Sequence, residues 1–213
     1  MTPKAKRSYH SARRQEQALH TRRQIVEAAR KTFSERGYAG ATIESIAQQA
    51  GVATETVFAV FGSKRAVLTE LVNLAVGGDE QAIPLLQRPG PQGVLQERDP
   101  VRQIHLFAQD ISGILARVSP LFEIMRMAAK TEPEIAELLK TMLDERHRNL
   151  GVFVRRLSSH TRLRPGLDPP QATDLVWSVA SPEIFNLMTV DRGWSRNHFA
   201  TWLGDTLTRL LLP

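Results

Sequence analysis

The chain has 213 residues, of which 42% are hydrophobic and 23% charged, a balance typical of a globular protein. It contains no cysteine, which excludes disulfides, thiolate metal sites and cysteine nucleophiles and fits a reducing cytoplasm. No apolar run is long enough to cross a bilayer, and the basic first twenty residues lack the apolar region of a secretory signal. We therefore expect a cytoplasmic protein.

The net charge of +6 is concentrated at one end of the chain. Residues 1–65 hold 12 Lys and Arg against 5 Asp and Glu, a net of +7, whereas residues 66–213 hold 16 against 17, a net of −1. Such a split indicates a polyanionic partner for the first third, either nucleic acid or an acidic membrane surface.

Residues 1–20 are polar and basic, and we predict a flexible arm there. A helical pattern begins at Thr21, which places Arg22 and Arg23 in the first turn of the predicted helix. The helix dipole disfavours cations at that position. A DNA phosphate would compensate for them, and chance surface composition is the alternative.

The first predicted helix has an apolar stripe at i, i+4 and i+8, formed by Ile25, Ala29 and Phe33. Gly37 is predicted to end it in a left-handed conformation, with Tyr38 packing back on the last turn.

Two short helices joined by a tight turn are predicted next. Thr42 is a good N-cap for the first of them, and Gly51 and Val52 form the turn before a helix over about 53–60. Because the turn needs a residue that tolerates positive φ, this arrangement is typical of a helix-turn-helix. Ser63 can cap a fourth helix over 64–76.

The remainder of the chain is predicted to be helical, so the fold class is all-α. Residues 77–100 hold four Gly and four Pro and indicate a loop or a loosely helical connector, and Ser119-Pro120 is predicted to restart the chain. The predicted helices are 101–118, 120–130, 132–159, 170–180, 181–191 and 195–211. We predict a helix-turn-helix domain over 21–66 and a larger helical domain over 67–213.

The stretch GYAGATIESIAQQAGVATETVFAVFGSKRAVL, Gly37 to Leu68, resembles the TetR family of bacterial transcriptional regulators. The resemblance implies a phosphate contact from Thr42, a recognition helix in the major groove, and a backbone anchor at Lys64. Together with the two arginines of the first helix, the expected DNA-binding residues are Arg22, Arg23, Thr42, Thr54, Glu55, Thr56, Phe58 and Lys64.

The sequence departs from the family pattern on the recognition helix. Phe58 stands where the family usually has Tyr, and Val60 where Tyr or His is common, so two phosphate contacts are lost. Ala53 replaces the usual Ser cap, at a cost of about 1 kcal/mol. Glu55 replaces a small residue and could accept from a cytosine amine or repel phosphate.

The sequence carries no pattern for catalysis or metal binding. Its six histidines form no i, i+4 pair, and Walker, Rossmann and G-x-S-x-G motifs are missing. We expect no metal, no cofactor and no enzyme activity.

The larger domain is expected to bind a small, substantially apolar effector and to form a homodimer. The candidate pocket residues are Phe107, Ile111, Met125, Met142, His147 and Trp177. The candidate dimer residues are Leu175, Val179, Ile184, Leu187, Phe199, Leu203, Leu207 and Leu210. An apolar lining residue is more often ordinary core, and the dimer hypothesis weakens for any position buried within the monomer.

The hypothesis is a homodimeric repressor, with an activator as the alternative, that binds double-stranded DNA at a palindromic operator and releases it when an effector binds. A small helical enzyme or lipid carrier with a membrane-touching N-terminus would explain the charge split, but not Gly51 and the residues in register around it. A scaffold that uses the helix-turn-helix for protein contact is the third hypothesis.

Overall fold

The computed structural model describes the backbone of residues 5–213 and side chains from Arg13 onward. Its regular structure, over that range, is helical throughout. Two short irregular helices, a 3-10 turn at Leu85–Gln87 and a π-helical turn at Leu187–Asp191, accompany the α-helices. The α-helices are α1 Ala5–Gly40, α2 Ile43–Ala50, α3 Thr54–Phe61, α4 Lys64–Gly77, α5 Pro89–Gln96, α6 Pro100–Ala128, α7 Pro133–Ser158, α8 Pro169–Val179, α9 Pro182–Asn186 and α10 Arg196–Leu211.

The chain forms two compact units, one that ends at Leu71 and one that is Val72–Pro213. We call them the N-terminal and C-terminal units. The sequence predicted a boundary after residue 66, whereas the structure places it within α4. None of the described helices is both long and apolar enough to span a membrane.

The first helix is longer than the sequence pattern predicted. The flexible arm expected over residues 1–20 is helical from Ala5, and residues 1–4 lie outside the described part. No Gly or Pro occurs between Pro3 and Gly37, and Ala, Arg, Gln and Glu are good helix formers. Arg22 and Arg23 therefore lie in the interior of α1, and the expectation that they occupy its first turn was wrong.

The first helix was predicted to end at Gly37, and the structure shows a kink there with positive φ, after which the helix runs on to Gly40. Gly37 has a φ of 65° and a ψ of −179°, and it kinks α1 before its last residues. The ring of Tyr38 stacks on that of Phe33, with 5.8 Å between the centroids, and both side chains are buried. The aromatic contact across the kink closes the last turn onto the core of the N-terminal unit.

That core consists of one apolar face from each of the four helices. The stripe of Ile25, Ala29 and Phe33 is fully buried, which confirms the helical phase predicted for α1. The other helices add Ile46 from α2, Val57 from α3, and Val67 and Leu68 from α4, each of them fully buried. These contacts hold α2 and α3 against α1.

In the C-terminal unit, the predicted break at Ser119-Pro120 was wrong, because α6 continues through Pro120 to Ala128. Proline removes one backbone donor from a helix interior and usually bends the helix. The residues that flank Pro120 are buried: Val118, Leu121 and Phe122. Their tertiary packing stabilises the helix on both sides of the proline. The expected connector over 77–100 is partly helical: it contains α5, which buries Val94.

Helix α10 packs mainly against α6, within the C-terminal unit. Phe199, Leu203 and Leu207 of α10 are fully buried there. The expectation that these three residues form a dimer interface was therefore wrong: they are monomer core. An apolar helix face looks the same in sequence whether its partner is another helix of the chain or a second subunit.

Candidate nucleic-acid interface

The start of α2 is fixed by a reciprocal cap. The Thr42 hydroxyl accepts from the Ser45 amide at 3.1 Å, and Ser45 Oγ accepts from the Thr42 amide at 3.0 Å. Thr42 was predicted as the N-cap, and the structure confirms it. Its partner Ser45 was missed, because the usual capping box has Glu or Gln three residues after the cap. The cap orients the exposed N-terminus of α2.

The turn between α2 and α3 depends on Gly51. Its φ of 67° and ψ of 32° are left-handed, and a side chain there would be strained although a Cβ would meet no atom within 4 Å. The Gly51 amide donates to Gln48 O at 3.2 Å, and the Val52 amide donates to Ala47 O at 3.1 Å. These bonds end α2 and set the direction of α3.

Helix α3 presents a distinct outer face. Val57 is fully buried, whereas Glu55, Phe58 and Ala59 are exposed on the opposite side. The Phe58 ring is 49% exposed, a large value for an aromatic side chain. Ala59 was missed by the sequence reasoning, but it lies four residues from Glu55, a spacing that brings the two side chains together on a helix.

The other residues expected on the recognition helix lie at the edges of this face. Thr54 and Thr56 are half-buried. Ala53 precedes the helix without a side-chain cap, as the sequence indicated, and Glu55 in the first turn is favourable for the helix dipole. We call the surface formed by Glu55, Phe58 and Ala59 the α3 face.

Lys64 bonds within the N-terminal unit. Its Nζ donates to the carbonyl oxygens of Tyr38 at 2.8 Å and Ala41 at 2.9 Å, and it lies 4.0 Å from the centroid of the Tyr38 ring. The family resemblance implied a contact with the DNA backbone. In the structure the ammonium instead ties the start of α4 to the segment between α1 and α2.

Arg22 is also tied within the unit. Its Nε donates to Glu70 Oε1 of α4 at 3.0 Å, and its guanidinium carbon lies 4.6 Å from the centroid of the Phe61 ring at the end of α3. The sequence could not reveal this pair, because 48 residues separate its members. Arg23, its neighbour, is exposed.

The candidate effector residues of the C-terminal unit fall into three groups. Phe107, Ile111 and Met125 are buried on α6, and Phe107 stacks on Phe153 of α7 at 4.1 Å between centroids. Met142 of α7 and Trp177 of α8 are half-buried.

The third group is His147, which is exposed on α7 and bonded to Asp174 at 2.8 Å. The structure thus places this candidate pocket residue at the surface, apart from the buried candidates on α6. The inward position is its neighbour Arg146, which sequence reasoning missed. Arg146 follows Leu139 by seven residues and precedes Leu150 by four, so a charged residue on an apolar stripe was the available signal.

Five of the expected dimer residues keep part of their surface in the monomer. Leu187 is 47% exposed, and nearby Val190, at 72%, is the most exposed large apolar side chain of the described residues. The others are half-buried: Leu175, Val179, Ile184 and Leu210.

Comparison with known proteins agrees with the helix-turn-helix geometry. The family described as "Bacterial regulatory proteins, tetR family" matches residues 25–71. The HTH-type transcriptional regulator HbdR of Aromatoleum sp. (strain CIB) is 41% identical over 63 residues, which are 30% of this chain and 28% of that protein. The chain thus spans less than a third of the length of this relative.

The fold likeness extends over nearly the whole chain. NalD of Pseudomonas aeruginosa, the secondary repressor of the MexAB-OprM multidrug efflux pump, has a TM-score of 0.68 at 21% identity, covering 92% of this chain and 98% of NalD. FadR from Bacillus subtilis in complex with stearoyl-CoA has a TM-score of 0.64 at 19% identity, covering 86% and 96%. Residues 25–71 thus match the TetR family of bacterial regulatory proteins, and the chain as a whole shares its all-α fold with NalD and FadR.

Proposed function

We propose that this protein is a transcriptional regulator that binds double-stranded DNA through α2 and α3. The observation that carries the proposal is the exposed α3 face. The buried Val57 fixes the inner side of α3, and the Gly51 turn sets the direction of the helix. A helix presented in this way can enter a major groove. The surplus of seven positive charges in residues 1–65 favours a polyanion as the partner.

We further propose that it acts as a homodimeric repressor at a palindromic operator. Two recognition helices related by a two-fold axis would read half-sites about 34–36 Å apart. The half-exposed apolar positions of α8 and α9, together with Leu187 and Val190, support the dimer, because surface of this kind is typical of an interface. The repressor role is supported by the likeness to NalD, which is itself described as a repressor.

The proposed signal is a small effector that binds the C-terminal unit. FadR from Bacillus subtilis, which shares the fold, was solved with stearoyl-CoA, and Phe107, Ile111 and Met125 offer apolar surface inside the unit here. By linkage, such a ligand weakens DNA binding only by its differential affinity for the two states, typically about 1–3 kcal/mol.

Selection of randomised duplex DNA on the purified protein, at low and moderate salt, tests the proposal. Enrichment of an inverted repeat, with log K falling by roughly 0.9 per neutralised phosphate as log salt rises, is the expected result. Native mass spectrometry of the resulting complex reports the number of subunits. A folded protein that enriches no sequence at either salt would contradict the proposal, and a helical carrier would behave in that way.

A further inference from the structure

Arg146 of α7 is a half-buried cation whose side chain reaches the end of α8 in the C-terminal unit. One of its terminal nitrogens donates to the carbonyl oxygens of Trp177 at 2.6 Å and Ala180 at 2.8 Å, at the C-terminal end of α8. Its guanidinium carbon lies 5.2 Å from the centroid of the Trp177 ring. Burial lowers the pKa of Arg146 to about 10, so it stays charged at neutral pH.

The hydrogen bonds to the end of α8 use only one of the three guanidinium nitrogens of Arg146. Arg146 Nε is shut off from solvent and has no acceptor among the described residues, and the same holds for the indole Nε1 of Trp177. Two buried N–H donors thus lack an acceptor, and they belong to a guanidinium and an indole ring that lie beside each other. A buried donor without an acceptor costs free energy and is rarely left so without a reason.

The charge around these donors is also unbalanced. The pKa of Arg146 is raised by Glu183 of α9 and lowered by Arg126 of α6, so both charges act on it. Glu183 is already ion-paired with Arg126. Arg146, Arg126 and Glu183 together carry a net charge of +1, and the one carboxylate among them pairs with Arg126. A cation largely removed from solvent is stabilised by an anion that also accepts hydrogen bonds.

The surroundings define the rest of the ligand. Met142 lies one helical turn before Arg146 on the same face of α7 and is half-buried. The apolar ring of Trp177 lies beside the Arg146 guanidinium. An anion held at Arg146 and Trp177 would thus be attached to an apolar body.

We propose that Arg146 and the indole N–H of Trp177 bind the carboxylate of an apolar organic acid. The inference rests on the proposed function, because it names the class of effector that the C-terminal unit takes. Arg146 Nε and Trp177 Nε1 donate to the carboxylate oxygens, and Glu183 holds Arg126 beside them. Neutral molecules of the same shape lack the charge that compensates Arg146.

Isothermal titration of the full chain with butanoate, octanoate and dodecanoate, each beside its primary alcohol, tests the proposal at pH 8. At least one acid is expected to bind ten-fold or more tightly than its alcohol. In Arg146→Gln the ratio of acid affinity to alcohol affinity falls to about one. In Trp177→Phe, which keeps an aromatic side chain but lacks the indole N–H, that ratio falls several-fold. Arg148→Gln, an exposed arginine two residues away, keeps the wild-type preference.

The proposal is overturned if no acid binds the wild type better than its alcohol, or if Trp177→Phe keeps the full preference. If Arg146→Gln does not fold, the comparison of each acid with its alcohol in the wild type and in Trp177→Phe still tests the proposal. A failure of the carboxylate proposal is distinguishable from a failure of the proposed function. Enrichment of an operator without acid selectivity would leave the regulator standing, and acid selectivity without DNA binding would leave the carboxylate site standing.

Discussion

Arg22 of α1 and Glu70 of α4 form an ion pair, with 3.0 Å between Arg22 Nε and Glu70 Oε1. Its two side chains are 39% and 25% exposed. The pair joins two helices that begin far apart in sequence, and the same guanidinium rests on Phe61 of α3. An arginine expected at the DNA backbone thus joins α1, α3 and α4.

A double-mutant cycle measures what this pair contributes. We expect Arg22→Met, Glu70→Gln and the double variant to give a coupling of about 0.5–1 kcal/mol in the hydrogen-exchange protection of α2 and α3 amides, decreasing with salt. The exposed pair Arg30–Glu27, three residues apart on α1, is the control and should give about 0.3 kcal/mol. Equal couplings for the two pairs would contradict the bridging role.

Lys64 is expected to act on stability. Lys64→Met leaves the carbonyl oxygens of Tyr38 and Ala41 without this donor, and we expect the free energy of unfolding of the N-terminal unit to fall by about 1–3 kcal/mol. Arg65→Met removes the same charge from the adjacent, exposed position and should change stability by less than about 0.5 kcal/mol. Hydrogen exchange of α1 and α2 amides measures both. Unchanged protection in Lys64→Met, with weaker DNA binding, would assign the ammonium to phosphate.

The α3 face is tested by placing a negative charge on it. Ala59→Glu adds a good helix former at an exposed position, so the fold should persist. Its carboxylate would meet DNA phosphate or the groove edge, and we expect DNA affinity to fall at least ten-fold. Fluorescence anisotropy on labelled duplex measures it. Ala116→Glu, the same change at an exposed position of α6, should bind as the wild type does. Similar losses in both variants would indicate only a net-charge effect.

Asp110 of α6 predicts a pH dependence for the C-terminal unit. Burial raises the pKa of its carboxyl, and Arg117 offsets this in part. The folded state therefore holds a proton that the unfolded chain releases, so the free energy of unfolding falls as pH rises from the ordinary aspartate value through the raised one.

Asp110→Asn should consequently be more stable than the wild type at pH 7 and similar to it below the ordinary aspartate pKa. Urea unfolding followed by tryptophan fluorescence measures this in the C-terminal unit, since Trp177, Trp194 and Trp202 all lie there. A stability difference that does not vary with pH would exclude the carboxyl as its origin.

The sequence by itself determined the local features of this protein. The helical phase of α1, the Thr42 cap and the Gly51 turn each depend on residues within a few positions of one another, so periodicity and capping rules predict them. The stretch from Gly37 to Leu68 indicated the TetR resemblance, because its matching residues also lie close together in sequence. The all-α class followed from apolar spacing along the rest of the chain.

Tertiary structure decided which faces of those helices are used. The continuation of α6 through Pro120, the burial of Phe199, Leu203 and Leu207 within the monomer, and the inward position of Arg146 depend on contacts between segments far apart in sequence. The partners of Arg22 and Lys64 within the N-terminal unit could not be predicted for the same reason, because they lie 48 residues and 23–26 residues away. Spacing shows that a helix has an apolar face, whereas only packing shows what covers it.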